Sequence, residues 1–247
     1  GFIVEKEGKE GVINLESKVI IPFEYDCLCS NFFDTAKSLT VAKKNGKRGV
    51  INSKNETLIP FEYEHIEIFS DETMFVHNFS KGYIIDFSNK KVCDEDFQFI
   101  NSEGNGEYFC AMKNDKSGLI GKFGNIKIDF KYDDLFFINK NLLVANKNSK
   151  EGIIDVNENI IVPFKYWFKR EKCLDKDNTL PARRRIKGKL KWGLINLQDE
   201  VLIDFKFDIL MPFNDRKYTL AIVNNKWMYI NKKGEILKID IDNYVTK

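Results

Sequence analysis

The chain has 247 residues, 39 basic and 37 acidic side chains, and a net charge of +2; 43% of it is hydrophobic and 13% aromatic. That suffices for a hydrophobic core. No run of eighteen apolar residues occurs, which excludes a membrane-spanning helix, and the opening GFIVEKEGKEG lacks a basic stretch followed by an apolar one, so no secretory signal is expected.

The five cysteines, Cys27, Cys29, Cys93, Cys110 and Cys173, are odd in number and irregular in spacing. This argues against a disulfide framework and predicts reduced thiols in a cytoplasmic protein.

In chain order, the first predicted strand is Phe2–Lys6, followed by a tight turn at Glu7-Gly8. A second strand ends in Gly-Val-Ile before Asn14. A turn at Ser17-Lys18 and a third strand lead to Pro22 and Tyr25. The second copy repeats this plan. Its strands are predicted over residues 39–44, 48–52 and 57–60, with a short fourth piece over 63–68. RGVINSKNETLIPFEY at 48–63 nearly restates EGVINLESKVIIPFEY at 10–25.

The polar position after the Gly-Val-Ile core then recurs as Asp86, Gly121, Asp155, Asn196 and Asn231. This makes seven copies with steps of 38, 34, 35, 34, 41 and 35 residues. Eleven residues past each stands Tyr25, Tyr63, Phe97, Tyr132, Tyr166, Phe207 or Asp242. Three residues before these stand Pro22, Pro60 or Pro163, replaced elsewhere by Asp94, Asp129, Asp204 and Ile239. Ten residues before the polar position lies Val4, Ala42, Val76, Ala111, Ala145 or Ala221, with Ile186 in the sixth copy. Between them fall turn pairs such as Asn45-Gly46, Asn114-Asp115, Asn148-Ser149 and Asn224-Asn225, chemistry suited to hairpins with φ > 0 at both central residues.

No segment keeps a helical apolar period, so the prediction is all-β: seven tandem β-meanders of about 35 residues. They divide one domain, 1–247, at roughly 1–36, 37–72, 73–107, 108–141, 142–178, 179–217 and 218–247. A lone meander cannot bury both faces, so neighbours must cover each other. The end copies are no more polar than the middle ones, which favours closure as a small seven-bladed β-propeller-like ring over an open β-solenoid or hairpin ladder.

LKWGLIN at 190–196, followed by VLIDFKF at 201–207, resembles the bacterial WG-repeat family. Trp192-Gly193 is the clearest match. Trp227 keeps the Trp before Met228, while Arg48 and Glu151 replace Trp before a retained Gly. The resemblance covers essentially the whole chain. It implies a β-repeat scaffold, often found in proteins that bind others, and it implies no catalytic residues.

The residues themselves point the same way. The recurring aromatics are expected to pack between repeats, with each Tyr hydroxyl finding a partner. The Asn and Asp at the polar positions are expected to cap the following turn. His65 and His77 have no metal-ligand spacing, and no phosphate-binding loop or nucleophile elbow occurs. The prediction is a chain without enzymatic activity, metal or cofactor.

The longest step holds the strongest functional signal. Residues 165–191 carry eleven Lys or Arg against three acids, a net of +8, which leaves −6 for everything else. Four of the six arginines lie here. Strands at 180–186 and 190–196, with a turn at 187–189, predict a projecting hairpin. Arg183 and Arg185 should face one side and Arg184 the other. The predicted partner-binding residues are Arg183, Arg184, Arg185, Lys187, Lys189, Lys169, Arg170 and Trp167. Guanidinium groups there suit carboxylates or phosphates. The expected client is a protein with an acidic surface. Nucleic acid through the same hairpin, and a lectin-like or small-ligand module, are the alternatives. No membrane association is expected, and oligomeric state is left open. A second insertion, 27–39, carries Phe32 and Phe33 as core or docking residues.

Overall fold

A computed structural model describes residues 1–29, 39–78, 81–101, 104–170 and 174–237. Phe32, Phe33, Cys173, Ile239 and Asp242 lie outside them. The described residues form twenty-four strands in seven small antiparallel sheets. Among them there is no helix. The chain divides into two compact units, Gly1–Phe130 and Lys131–Lys247.

The first sheet shows the basic meander: Phe2–Lys6, Lys9–Ile13 and Val19–Tyr25 pair in sequence order. The predicted fourth piece exists, but it joins the next sheet. Cys27–Leu28 pairs with Leu39–Lys44, and His65–Ile68 with Thr73–Asn78. The first, second, third, fourth and sixth repeats thereby lend the next sheet an edge strand, and the fifth contributes an isolated bridge from Trp167 to Arg183.

Turn chemistry sets the register. In six hairpins both central residues have positive φ, from Glu7 and Gly8 (55° and 74°) to Asn224 and Asn225 (49° and 59°). That twist matches the twist of the flanking strands. At the next turn, the side-chain oxygen of Asn14, Asn52, Asp86, Asp155, Asn196 or Asn231 accepts hydrogen bonds from the backbone N–H groups two and four residues ahead. These are the expected caps.

The glycine of the motif has a direct steric cause. In the first, second, fifth and sixth sheets the pairing of second and third strands slips by a bulge at this point. The bulge folds the third strand over the second. A Cβ on Gly11, Gly49, Gly118, Gly152 or Gly193 would lie 2.6–2.7 Å from the carbonyl oxygen of Ile21, Ile59, Ile128, Val162 or Ile203. Where the third strand is reduced to isolated bridges, larger residues stand at this register: Tyr83 in the third repeat and Met228 in the seventh.

The core is a series of similar junctions. Within the first unit, Val12, Ile21 and Tyr25 of one repeat meet Ala42 and Ile51 of the next. Val50, Ile59 and Tyr63 meet Val76 and Ile85, and Ile84 and Phe97 meet Ala111 and Ile120. Within the second, Ile153, Val162 and Tyr166 meet Ala182 and Ile195, and Leu194, Ile203 and Phe207 meet Ala221 and Ile230. At each of these five junctions one face of a repeat is covered by a face of its successor.

One registration differs from expectation. Ala182, not Ile186, is the small residue of the sixth copy: it pairs with Gly193 as Ala42 pairs with Gly49 and Ala145 with Gly152. Two extra residue pairs inserted in the hairpin push Ile186 out beside the turn. The turn itself is the pair Lys187-Gly188, φ 46° and 81°, and Lys189 already belongs to the returning strand.

Candidate functional site: the basic hairpin and its aromatic base

The sixth hairpin pairs Thr179–Ile186 with Lys189–Asn196, eight residues a side, where the fifth pairs six with six. Alternation along the strand separates the arginines as predicted. Arg184 lies on the face that carries Leu180 and Ala182 and stands 4.3 Å from the Phe205 ring centroid. Arg183 lies on the other face, with its guanidinium 5.4 Å from the centre of Trp192. Lys169 approaches the same indole at 5.7 Å. Both stacked arginines are half-buried, and the Nε of each is enclosed without a hydrogen-bond partner. Arg185, Lys187 and Lys189 are exposed at the tip. Arg185 donates to the Gly188 carbonyl at 2.9 Å, which bends it along the turn.

The base of the hairpin neutralises much of the segment's charge. Lys165 pairs with Asp199, Arg170 with Asp134 and Lys191 with Asp208. Arg170 also lies over Phe136. Trp167 exchanges two backbone hydrogen bonds with Arg183, both 2.9 Å, and Lys150 covers its ring at 3.7 Å. Its place in the first, second and sixth repeats is taken by Asp26, Glu64 and Asp208, each paired with the lysine equivalent to Lys150. Trp167 therefore substitutes a cation–π contact for an ion pair. Beneath these groups, Glu151 accepts a hydrogen bond from the Phe168 N–H. Burial pushes its carboxyl above the usual range, and Asp134 adds to this, while that hydrogen bond and the charges of Arg183 and Arg170 pull the other way.

The structure therefore sorts the eight predicted residues into three groups. Arg183 and Lys169 gather around Trp192, and Trp167 is tied to Arg183 through its backbone. Arg184 and Arg170 are engaged on other surfaces. Arg185, Lys187 and Lys189 form a free tip, and among the described residues no acid lies within ion-pair distance of them. Sequence reasoning missed Trp192 as a platform, because its place in the repeat motif already accounted for it. It also missed Glu151, a half-buried carboxylate beneath the cluster. Among the described residues, no group of three or more His, Cys, Asp or Glu is placed to hold a metal ion, and no helix is long and apolar enough to cross a membrane.

Known proteins set this geometry in context. A crystal structure of the eukaryotic initiation factor is 9% identical and superposes with a TM-score of 0.53 over 96% of this chain and 72% of that one. Hsv2p of Kluyveromyces lactis is 8% identical, with a TM-score of 0.39 over 85% of this chain and 74% of its own. At 9% identity the likeness to the initiation factor is one of fold alone. No curated protein matches the sequence. The pattern of the WG containing repeat matches residues 11–47, 49–74, 118–150 and 192–227. These segments make up just over half of the chain, and the chain belongs to the WG-containing repeat family.

Proposed function

We propose that this chain is a non-catalytic binding scaffold that engages an acidic protein surface through the tip of its sixth hairpin. One observation carries the reading: the sixth hairpin, the longest among the described residues with eight pairs, presents Arg185, Lys187 and Lys189 exposed and without an acidic partner among those residues. Repeat stacking does not require those extra pairs, and residues that a repeat scaffold does not need for packing are where binding resides. The stacked Arg183 and Arg184 stiffen the stem and lower the entropy lost when the tip is held by a partner. A reducing, cytoplasmic setting fits the free thiols of Cys27, Cys29, Cys93 and Cys110.

A protein is favoured over nucleic acid because three of the segment's cations, Lys165, Arg170 and Lys191, are already paired with acids. The free charge is therefore a small patch and not a track along a phosphate backbone. The test compares a fluorescent glutamate-rich peptide with duplex DNA of equal charge, at two salt concentrations. Each is titrated with wild type and with the Arg185→Ala/Lys187→Ala/Lys189→Ala variant. Peptide binding should weaken about tenfold in the variant, three screened contacts at roughly 0.5 kcal/mol each. Peptide affinity unchanged by the substitutions, or DNA bound more tightly than peptide at both salts, would overturn the reading.

A further inference from the structure

A second basic feature lies at the end of the sixth hairpin remote from its tip. Three turns meet there: residues 175–178 before the sixth hairpin, 213–217 before the seventh, and 231–234 after Lys226–Asn231. They surround a cleft of about 380 Å³, a size that suits a small ligand. Its floor is a tied set of charges. Asp175 is 4% exposed, and its carboxylate accepts the Asp215 N–H at 2.9 Å and pairs with Lys232 at 3.0 Å. Asp215 in turn accepts the Lys176 N–H at 3.0 Å, so the two loops clasp each other. Lys232 also holds Asp177 at 2.6 Å. Both acids that line the cleft, Asp177 and Asp215, are therefore already engaged. Four cations remain at the rim: Lys176, Arg216, Lys217 and Lys233. All four are exposed, and none forms an ion pair among the described residues.

The fourth repeat holds the same cleft without that charge. Tyr108 pairs with Gly121 as Tyr218 pairs with Asn231. At this register Gly106, Glu107 and Phe123 stand where the seventh repeat has Arg216, Lys217 and Lys233. A cleft of about 310 Å³ lies among them. There Lys122 pairs with Glu72 of the preceding repeat as Lys232 pairs with Asp177. The frame thus needs one paired lysine. Arg216, Lys217 and Lys233 are additions that packing does not call for, and cations of one sign around a small cleft focus their field on whatever anion enters it.

We propose that this cleft binds a small ligand through a condensed phosphate group, a diphosphate or triphosphate. Such a group carries several negative charges in a compact length, which matches several cations around one opening. Arg216 supplies a planar fork for phosphate oxygens, and the lysines supply point charges. No aromatic side chain lines the cleft, so the affinity comes from the phosphates and not from a stacked base. The site is separate from Arg185, Lys187 and Lys189 and does not rest on the protein-binding reading.

Calorimetric titration of the full chain with inorganic triphosphate tests this, with citrate as a polyanion that lacks phosphate. Wild type is compared with two variants. Arg216→Gly/Lys217→Glu/Lys233→Phe installs the fourth repeat's own residues in the cleft, and Arg185→Ala/Lys187→Ala/Lys189→Ala removes the charge of the hairpin tip. Wild type should bind one triphosphate, more tightly than citrate. The cleft variant should bind it at least about tenfold more weakly, having lost three screened contacts. The tip variant should bind it like wild type. Lys176→Ala changes an exposed side chain outside the core and should weaken binding about two- to threefold, which keeps the test valid if the triple exchange does not fold. Four results would overturn the proposal: no triphosphate bound by wild type; citrate bound as tightly; cleft variants that bind like wild type; or a tip variant that loses as much affinity as the cleft variant.

Discussion

The fifth and sixth repeats share a frame and differ in what is mounted on it. In both, a glycine lies beneath a bulged third strand, at Gly152 and Gly193, and a buried aromatic closes the repeat, at Tyr166 and Phe207. Both keep Ala paired with that glycine. They part company beyond the pairs Lys147–Lys150 and Arg184–Lys191. The fifth hairpin turns at once through Asn148-Ser149, while the sixth adds Arg185, Ile186, Lys189 and Leu190 before its turn. They also differ in how the aromatic is anchored. Tyr166 donates its hydroxyl to Asp199 at 2.7 Å, whereas Phe207 faces a repeat whose equivalent turn residue is Gly234. Packing positions are thus shared between the two, and the freedom to differ lies at the hairpin tip and in the polar edge of the aromatic.

The shared frame can be broken in both repeats alike. Gly152→Ala and Gly193→Ala each drive a methyl to within 2.7 Å or less of a carbonyl oxygen. Each should destabilise the fold by about 1–3 kcal/mol, the usual cost of overpacking. Chemical denaturation of both variants checks this; a cost in one repeat and none in the other would show that the frame is not common. The Met228→Ala change at the same register of the seventh repeat relieves no such contact and should be milder than either.

A smaller effect separates the two aromatics. Tyr166→Phe loses a hydrogen bond to a carboxylate and should cost about 1–2 kcal/mol. Phe207→Tyr brings a hydroxyl to a register without a side-chain acceptor and should gain nothing. The same bonds respond to pH. Burial raises the phenol of Tyr25 to about 12, with Glu24 adding to it. Burial likewise raises Tyr63, with Tyr83 adding to it, Tyr132 with Glu158, and Tyr166 with Asp199. A folded-state pKa above the unfolded value of 10.0 means the protonated phenol is favoured by folding. That stability is fully present below pH about 10 and is lost as pH rises through the folded values. Tyrosinate absorbance should therefore show these phenols ionising late, together with unfolding, and the quadruple Tyr→Phe variant should lose this alkaline dependence.

How much of this the sequence disclosed depends on whether a feature is periodic. The turn caps, the tyrosine row and the Asn-Gly-type hairpins recur in step, so they could be read directly, and the structure bears out seven small antiparallel sheets. Counting back ten residues from Asn196 reached Ile186, because an insertion inside a hairpin shifts phase without changing either flank. Ala182 could be recognised only through its pairing with Gly193. The exchange of short strands between sheets left no mark, since the piece at 63–68 reads as strand whichever sheet receives it, and residues 27–28 read as the start of an insertion. The hairpin's +8 overstated its free charge. The acids that neutralise it, Asp134, Asp199 and Asp208, lie outside the segment in sequence and reach it only through folding.

The extra pairs at the sixth hairpin are the part of the molecule on which the binding proposal stands, and they can be removed cleanly. Deleting Arg185, Ile186, Lys189 and Leu190 joins Arg184 through Lys187-Gly188 to Lys191 and restores the length of the fifth hairpin. Ile186 is half-buried against the core shared by the fifth and sixth repeats, so the deletion should lower stability by about 0.5–1.5 kcal/mol and leave the fold intact. Binding of the glutamate-rich peptide, followed by anisotropy beside the thermal melt, should fall at least as far as in the triple-alanine variant. A shortened protein that still melts cooperatively and binds the peptide as tightly as wild type would contradict the account.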